Sequence, residues 1–215
     1  MNTPVISVVL PAYNRADTIR ASVASVLRQS WRDFELLIVD DGSTDGTLDM
    51  IKAETDPRIR IMSTPHNLGS SAARNLGIEA ARGDWIAFQD SDDEWLPEKL
   101  SKQMARLLEP GADWIGAYCG MVIIGTAENK PNARTVTRYL PGANISNLEG
   151  DILPAVLRHS FVSTQMLIAR RAALQKISGF DEELTALEDW ELMLRLSPLG
   201  RFAFVDEPLV LQKFS

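Results

Sequence analysis

Short apolar runs alternate with amphipathic segments through the first half of the chain. The apolar runs occupy residues 5–10, 34–39, 59–62 and 85–89. The segments between them, in which apolar side chains recur at helical spacing, occupy residues 18–28, 47–54 and 67–81. Near-continuous apolar strands that alternate with helices predict an α/β fold, with an open, mostly parallel central sheet and helices on both faces.

The pattern is less regular in the second half. It predicts, in order, a helix at 97–108, a glycine-rich strand pair at 114–124, a helix at 151–159, a strand at 161–169, helices at 171–177 and 188–196, and a strand at 207–211. Residues 126–150 carry few large apolar side chains, which is typical of a mobile loop. Because the chain stops shortly after the last predicted strand, it could be a segment of a longer protein.

Composition narrows the class of protein. With 215 residues, of which 45% are apolar and 24% charged, the chain suits a single soluble globular domain over residues 1–215. A net charge of −7 provides no overall basic field for nucleic acid. The single cysteine, Cys119, excludes an internal disulfide. The sequence shows neither a signal-peptide pattern nor an apolar run long enough to span a bilayer, so we expect a cytoplasmic protein.

Three polar turns follow predicted strands, at residues 11–14, 40–46 and 90–93. In an open α/β sheet, ligands bind beyond the carboxyl ends of the strands, so we expect these turns to line one site. Asp90 and Asp92 lie two apart on an extended chain and can direct both carboxylates at one point, which suits Mg²⁺ or Mn²⁺. The alternative is an acidic turn that only precedes the next helix.

Two of these turns and the following helix offer groups that suit a nucleotide. Tyr13 could stack on a base, and the Asp40 carboxylate could accept a hydrogen bond from a ring N–H. Alternatively, residues 40–46 form a polar turn in which Asp45 caps the next helix. Arg74, one turn into its helix, could donate to a phosphate or could pair with one of the many acids.

A transfer enzyme also needs a base for its nucleophile, and Asp189 is the best candidate in the sequence. It lies in the first turn of a predicted helix, where a carboxylate also serves as a cap or dipole partner. His66 and His159 are alternative bases. The chain has no GxxxxGK, GxGxxG or nucleophile-elbow motif, so ATPase, dinucleotide-binding and hydrolase interpretations have no local support.

Six short motifs recur in a recognisable order. They are VVLPAYN at 8–14, VDDGSTD at 39–45, NLG with ARNLG at 67–77, DSDD at 90–93, GFD at 179–181 and EDW at 188–190. Together they resemble the successive signatures of the family 2 glycosyltransferases of the GT-A type, over nearly the whole chain. Members of that family are inverting enzymes that use a nucleotide-diphosphate sugar, usually with Mn²⁺ or Mg²⁺.

The resemblance implies a role for each matching residue. Ala12, Tyr13 and Asp40 would contact the nucleotide base, and Arg74 the phosphate region. Asp90 would hold the ribose or a metal-bound water, Asp92 would bind the metal, and Asp189 would be the catalytic base. The remaining residues expected at the substrate-binding site are Pro11, Glu188 and Trp190.

The resemblance also implies how the chain is divided and which substrates it binds. Residues 1–110 would bind the nucleotide sugar, with uridine favoured as the base, and residues 111–215 would form an acceptor side with a small β and loop region. The loop at 126–150 would be an acceptor-side lid or a disordered insertion. An acceptor in polysaccharide, lipopolysaccharide or other glycoconjugate synthesis could bring the protein to the inner face of a membrane. The alternatives are a metal-dependent sugar nucleotidyltransferase and a non-catalytic nucleotide-sugar-binding module.

Overall fold

The computed structural model describes residues 3–126 and 135–213. Its strands are β1 (Ile6–Ala12), β2 (Phe34–Asp40), β3 (Ile59–Ser63), β4 (Trp85–Phe88), β5 (Glu94–Trp95), β6 (Trp114–Thr126), β7 (Thr135–Leu140), β8 (Leu167–Arg170) and β9 (Arg201–Lys213). Its helices are α1 (Ile19–Leu27), α2 (Thr47–Lys52), α3 (Ser70–Ala80), α4 (Lys99–Leu107), α5 (Leu153–Val156), α6 (Arg171–Lys176) and α7 (Glu188–Leu196). These strands form one sheet in the order β3-β2-β1-β4-β8-β6-β9-β5, with β7 beside β6.

The first four strands are parallel, as the apolar runs predict. β1 pairs with β2 on one side and with β4 on the other, and β2 pairs with β3. Every residue of β1 and β2 is buried, so both faces of these strands are covered. The chain steps from β1 outward to β3 and then returns to place β4 on the other side of β1. This reversal creates a switch point in strand order between β1 and β4.

The second half of the sheet is mixed. β8 runs antiparallel to β4, and β6 runs antiparallel to β8. β9 pairs with β6 in the parallel sense, while β5 and β7 are antiparallel partners of β9 and β6. The α/β class is confirmed. Within the described ranges, no helix has both the length and the apolar character needed to cross a bilayer.

Several predicted elements of the second half need correction. The predicted strand pair at 114–124 is one continuous strand, β6, and its partner β7 lies inside the predicted loop at 126–150. Residues 127–134 of that loop lie outside the described residues. β7 contains three threonine or valine residues in succession, which suit a strand that pairs along the edge of β6.

The other corrections concern element length. The predicted helix at 151–159 is only the short α5. The predicted strand at 161–169 begins at Leu167, because the preceding residues Thr164–Met166 form a 3₁₀ turn whose start is capped by Ser163. β9 is thirteen residues long, and its register shifts against β6 explain why its periodicity is hard to follow in the sequence.

Helix α3 packs closely against strand β1. Gly77 lies on the buried side of α3, and a Cβ at this position would lie 2.3 Å from Cγ1 of Val9. Only a residue without a side chain allows this approach of helix to strand. Gly69, which precedes α3, and Ser70 at its start line the same cavity as the carboxyl end of β1.

One charged side chain is enclosed in the core. Lys99, at the start of α4, is 0% exposed, and its Nζ donates to Oε1 of Gln103 at 2.9 Å. The same Nζ lies 4.0 Å from the centre of the Trp95 ring. Burial lowers the pKa of Lys99 to about 8. The folded protein therefore disfavours the protonated lysine.

We expect Lys99→Met to change the pH dependence of stability. Between pH 8 and the ordinary lysine pKa of 10.5, the unfolded lysine is protonated and the folded one is neutral, so the contribution of Lys99 to the stability of the folded protein rises with pH. The stability advantage of the Lys99→Met variant over the wild type should be greatest at pH 7 and should shrink by about 3 kcal/mol by pH 10.5. Urea denaturation at both pH values measures this difference.

Lys102 on the same helix provides the control. Its hydrogen bonds to Glu207 and Glu98 raise its pKa, so its contribution to stability is lost as pH rises. Lys102→Met should therefore show the opposite trend or none. A pH-independent effect of Lys99→Met would contradict the prediction.

Candidate functional site

A cavity of about 420 Å³ opens at the switch point between β1 and β4. The pairing of β4 with β1 ends at Val9, so among the described strands the last part of β1 has a free edge on that side. Pro11, which lacks an N–H, is tolerated in β1 because of this free edge. The residues around the cavity are Pro11, Ala12, Tyr13, Arg15, Asp41, Asn67, Gly69, Ser70, Ala73, Arg74, Asp90, Ser91, Asp92 and Gln212. All three predicted polar turns contribute to this list.

The turn after β1 is held by the turn after β2. Asn14 has a left-handed backbone (φ 50°), and its Oδ1 accepts a hydrogen bond from the backbone N–H of Thr44 at 2.9 Å. Asp45 accepts from the N–H of Ala16 at 3.0 Å and from the N–H of Thr47, the first residue of α2. The N-cap position of α2 is Gly46 and not Asp45. This cross-linking leaves the side chain of Tyr13, a residue that is 41% exposed, at the cavity.

Asp41 shapes the opposite wall of the cavity, a role that the sequence did not indicate. Its carboxylate accepts hydrogen bonds from the backbone N–H groups of Leu68 and Gly69 and from Oγ1 of Thr64, at 3.0, 2.8 and 2.7 Å. These contacts hold the segment that leads into α3. The position of Asp41 next to Asp40 at the end of β2 is the one feature of the sequence that could have indicated this role. The sequence does not reveal its partners, because they lie more than twenty residues away.

Asp40 lies beneath the turn after β1, paired in register with Ala12. It is 2% exposed, and within the described residues its Oδ1 has no hydrogen-bond partner. A buried acceptor without a partner costs about 1–3 kcal/mol. A ligand that donates an N–H at this point would offset that cost.

Arg74 connects two acidic motifs that are distant in sequence. Its Nη2 lies 2.7 Å from Oδ1 of Asp90, and its Nη1 lies 3.4 Å from Oε1 of Glu188. The guanidinium is only 5% exposed and lies over the ring of Phe180. The contacts of Arg74 therefore agree with the alternative in which it pairs with acidic residues. The ion pairs are buried and do not lie at the surface.

The contact with Glu188 brings the start of α7 to the site. Asp189 follows Glu188, and burial raises the pKa of its carboxyl above the usual value, with Glu188 adding to the shift. Its Oδ1 accepts the backbone N–H of Trp190. The indole N–H of Trp190 donates to the carbonyl of Val156 at 2.7 Å, so this side chain fixes α7 against α5.

The predicted residues are thus distributed over two levels. Pro11, Ala12, Tyr13, Arg74, Asp90 and Asp92 line the cavity itself. Asp40 is buried behind it, and Glu188 joins it through Arg74. Asp189 and Trp190 lie at the start of α7 and do not line the cavity, and neither do His66 and His159.

Two of the acids in the 90–93 turn differ sharply in environment. Asp92 is 44% exposed at the cavity rim, with Nη2 of Arg15 at 3.4 Å. Asp93 is buried and accepts a hydrogen bond from Gln165, and burial together with Asp90 and Asp92 raises its pKa to about 8. Asp92 is therefore the acid of this turn that suits a metal.

A divalent cation fits the 90–93 turn if Asp92 and the phosphates of a substrate supply its ligands. Within residues 3–126 and 135–213, no group of three or more potential ligands is preassembled. Asp90 is engaged by Arg74, so the rim offers one exposed carboxylate, that of Asp92. Mg²⁺ sites commonly combine one or two protein carboxylates with substrate phosphates. The oxygen donors present fit such a site.

Comparison with known proteins identifies the family. The model of "Glycosyl transferase family 2" matches residues 7–177. The chain belongs to this family. It is 34% identical, over 88% of its length and 55% of the relative's, to the succinoglycan biosynthesis protein ExoO of Rhizobium meliloti. It is 38% identical, over 51% of its length and 43% of the relative's, to the Escherichia coli UDP-Glc:alpha-D-GlcNAc-diphosphoundecaprenol beta-1,3-glucosyltransferase WfgD. The chain spans about half the length of these relatives.

Solved structures of glycosyltransferases share the fold. The structure of Staphylococcus aureus TarS 1–349 with UDP-GlcNAc covers 98% of this family 2 chain with a TM-score of 0.79 and 24% identity, the match spanning 58% of the TarS chain. The mannosyltransferase PcManGT of Pyrobaculum calidifontis, in complex with GDP-Man and Mn²⁺, covers 99% with a TM-score of 0.69 and 20% identity, over 57% of its own chain. The GT-A fold that the motifs imply is confirmed.

Proposed function

We propose that this family 2 chain transfers a sugar from a nucleotide-diphosphate sugar to an acceptor hydroxyl with inversion at the anomeric carbon. The observation that carries the proposal is the position of Arg74. It joins Asp90, at the cavity of the switch point, to Glu188, which precedes the candidate base. This contact brings the segment that carries the candidate base towards the donor site, which supports a direct displacement.

The donor would bind with its base between Tyr13 and Asp40. Tyr13 offers an exposed ring, and Asp40 offers a buried acceptor whose Oδ1 has no partner in the described part of the chain. Uracil has a ring N–H that suits such an acceptor, and the name of the Escherichia coli relative specifies UDP-glucose. These observations favour a UDP-sugar.

Asp92 would hold the divalent cation, Mn²⁺ or Mg²⁺. When bound, such an ion neutralises the negative charge that grows on the departing nucleoside diphosphate. The other contacts to the donor come from side chains of the protein. Asp40 and Tyr13 orient the base, while Asp90 and Arg74 lie beside the ribose and phosphates.

Asp189 would remove the proton from the acceptor hydroxyl. The oxygen then attacks the anomeric carbon from the face opposite the diphosphate, while positive charge develops on the sugar ring. The displacement occurs in one step, so the configuration inverts and no covalent sugar–enzyme intermediate forms. The raised pKa of Asp189 makes it a better proton acceptor than an exposed aspartate.

The acceptor would belong to polysaccharide or glycoconjugate synthesis. The relatives are named for succinoglycan biosynthesis and for a lipid-linked acceptor. An acceptor of the second kind would bring the protein to the inner face of a membrane by peripheral association.

A panel of nucleotide sugars tests the proposal. UDP-glucose, UDP-GlcNAc, GDP-mannose and UDP are each added with and without Mn²⁺, and the unfolding temperature is measured. A ligand at 100 times its dissociation constant should stabilise the fold by about 2.7 kcal/mol, or roughly 5–10 °C for a domain of this size. Asp40→Ala should remove most of the shift with UDP ligands.

The outcomes separate the alternatives. If none of the ligands raises the unfolding temperature, the proposal is overturned. Release of pyrophosphate from a nucleoside triphosphate and a sugar phosphate would identify a nucleotidyltransferase. Binding of a UDP-sugar without transfer to any of a set of lipid-linked or oligosaccharide acceptors would indicate a non-catalytic binding module.

A further inference from the structure

Arg15 lies between the donor cavity and a second recess. It lines the cavity at the switch point and also a neighbouring recess of about 530 Å³ formed with Asp17, Asp45, Glu94 and Lys213. Asp92 is the other residue that lines both. The guanidinium of Arg15 is therefore next to the carboxylate that is the candidate metal ligand.

The backbone of Arg15 is fixed, but its side chain is loosely held. Its N–H donates to Oγ1 of Thr47 at 2.7 Å, and its carbonyl accepts from the N–H of Ile19 at 2.9 Å at the start of α1. The side chain is 45% exposed, with Asp92 at 3.4 Å and its own neighbour's carbonyl, that of Asn14, at 3.3 Å. Exposed ion pairs of this kind are weak, so exchange of partners is easy.

The two arginines of the cavity are in opposite situations. Arg74 is 5% exposed and is engaged by Asp90 and Glu188. Within the described residues, the guanidinium of Arg15 contacts only the carbonyl of Asn14 and the carboxylate of Asp92, so most of its N–H donors have no partner there. A diphosphate that enters the cavity can replace Asp92 as the partner of the Arg15 guanidinium. Replacement of the partners of Arg74 would leave the carboxylates of Asp90 and Glu188 without a compensating charge.

We propose that Arg15 is an exchangeable counter-ion for the donor site. In the free protein it neutralises Asp92. When nucleotide and cation bind, it turns to the phosphate oxygens, where a guanidinium can form two parallel hydrogen bonds, and Asp92 becomes available to the cation. This inference rests on the proposed function and adds to it the group that carries positive charge to the diphosphate.

The proposal predicts effects of opposite sign from one substitution. Arg15→Ala frees Asp92 of a positive charge, so Mn²⁺ alone should bind about threefold to tenfold more tightly. UDP at saturating Mn²⁺ should bind about tenfold or more weakly, because a charge-assisted contact to phosphate is lost. Mn²⁺ binding is followed by electron paramagnetic resonance, and UDP binding by isothermal titration calorimetry.

Matched variants make the result specific. Arg20→Ala removes the same charge from an exposed position on α1 and should leave both affinities within about twofold of the wild type. Arg15→Lys keeps the charge and should retain the Mn²⁺ affinity of the wild type while losing part of the UDP affinity. Asp92→Asn should abolish the gain in Mn²⁺ affinity when combined with Arg15→Ala.

The outcomes distinguish a failure of the Arg15 exchange from a failure of the proposed function. Equal behaviour of Arg15→Ala and Arg20→Ala, or a loss of affinity for both Mn²⁺ and UDP, would overturn the exchange. A wild-type protein that binds no nucleotide would instead overturn the proposed function. Sugar transfer by the wild type with an unchanged Arg15→Ala variant would leave the proposed function standing and remove Arg15 from it.

Discussion

Asp189→Asn should lower kcat for sugar transfer by about 10²–10⁴-fold, because the amide cannot take the proton of the acceptor hydroxyl. The two side chains have the same shape, and Asp189 does not line the donor cavity. UDP affinity should therefore stay close to that of the wild type. Transfer is measured by release of UDP in the presence of acceptor, and UDP affinity by isothermal titration calorimetry.

The pH dependence provides a second measurement of the same role. The base must be deprotonated to act, and burial raises the pKa of Asp189 above the usual value of an aspartate. The value of kcat/KM should therefore fall on the acidic side of its profile at a higher pH than an ordinary aspartate would give. The residual activity of Asp189→Asn should lack this limb.

Glu188→Gln serves as the neighbouring control. Glu188 contacts Arg74 and has no proposed role in proton transfer, so this variant should keep an acidic limb. The limb should move to lower pH, because the negative charge of Glu188 contributes to the raised pKa of Asp189. Normal turnover by Asp189→Asn would assign the base to another residue. His66 and His159 would then be tested by substitution.

Arg74→Ala should destabilise the fold by about 3 kcal/mol and weaken donor binding. Removal of one partner from a buried ion pair leaves an uncompensated charge, and here two carboxylates, those of Asp90 and Glu188, lose the same guanidinium. Both acids keep about a quarter of their side-chain exposure, which places the loss at the lower end of the range for buried pairs. Urea denaturation at pH 7 measures the change.

Two further variants test the cause. Arg106→Ala removes ion pairs to Glu109 and Glu149 and a hydrogen bond to the carbonyl of Phe204, and it should cost no more than about 2 kcal/mol. Adding Glu188→Gln to Arg74→Ala should recover part of the lost stability, since one unpaired charge disappears. If the double variant is less stable than Arg74→Ala alone, charge compensation is not the reason for the effect.

The first half of the fold was predictable because its signals are local. The apolar runs of β1, β2 and β4 are buried on both faces, and a strand of this kind can be identified within a few residues. The second half was harder because its strands depend on partners. β7 has no apolar run of its own and is a strand through its pairing with β6, while the register shifts of β9 interrupt its periodicity.

The site shows the same division. The sequence alone determined the family and the polar turns at the carboxyl ends of the strands, since each motif is contiguous and parallel strands bring their ends to one edge. Only the tertiary structure decided which groups are engaged: that Arg74 contacts a residue 114 positions away, that Asp41 supports the segment before α3, and that Arg15 rests on Asp92. The physical reason is that motifs and periodicity are properties of neighbouring residues, whereas a side chain's burial and its charge partners depend on which distant segments pack against it.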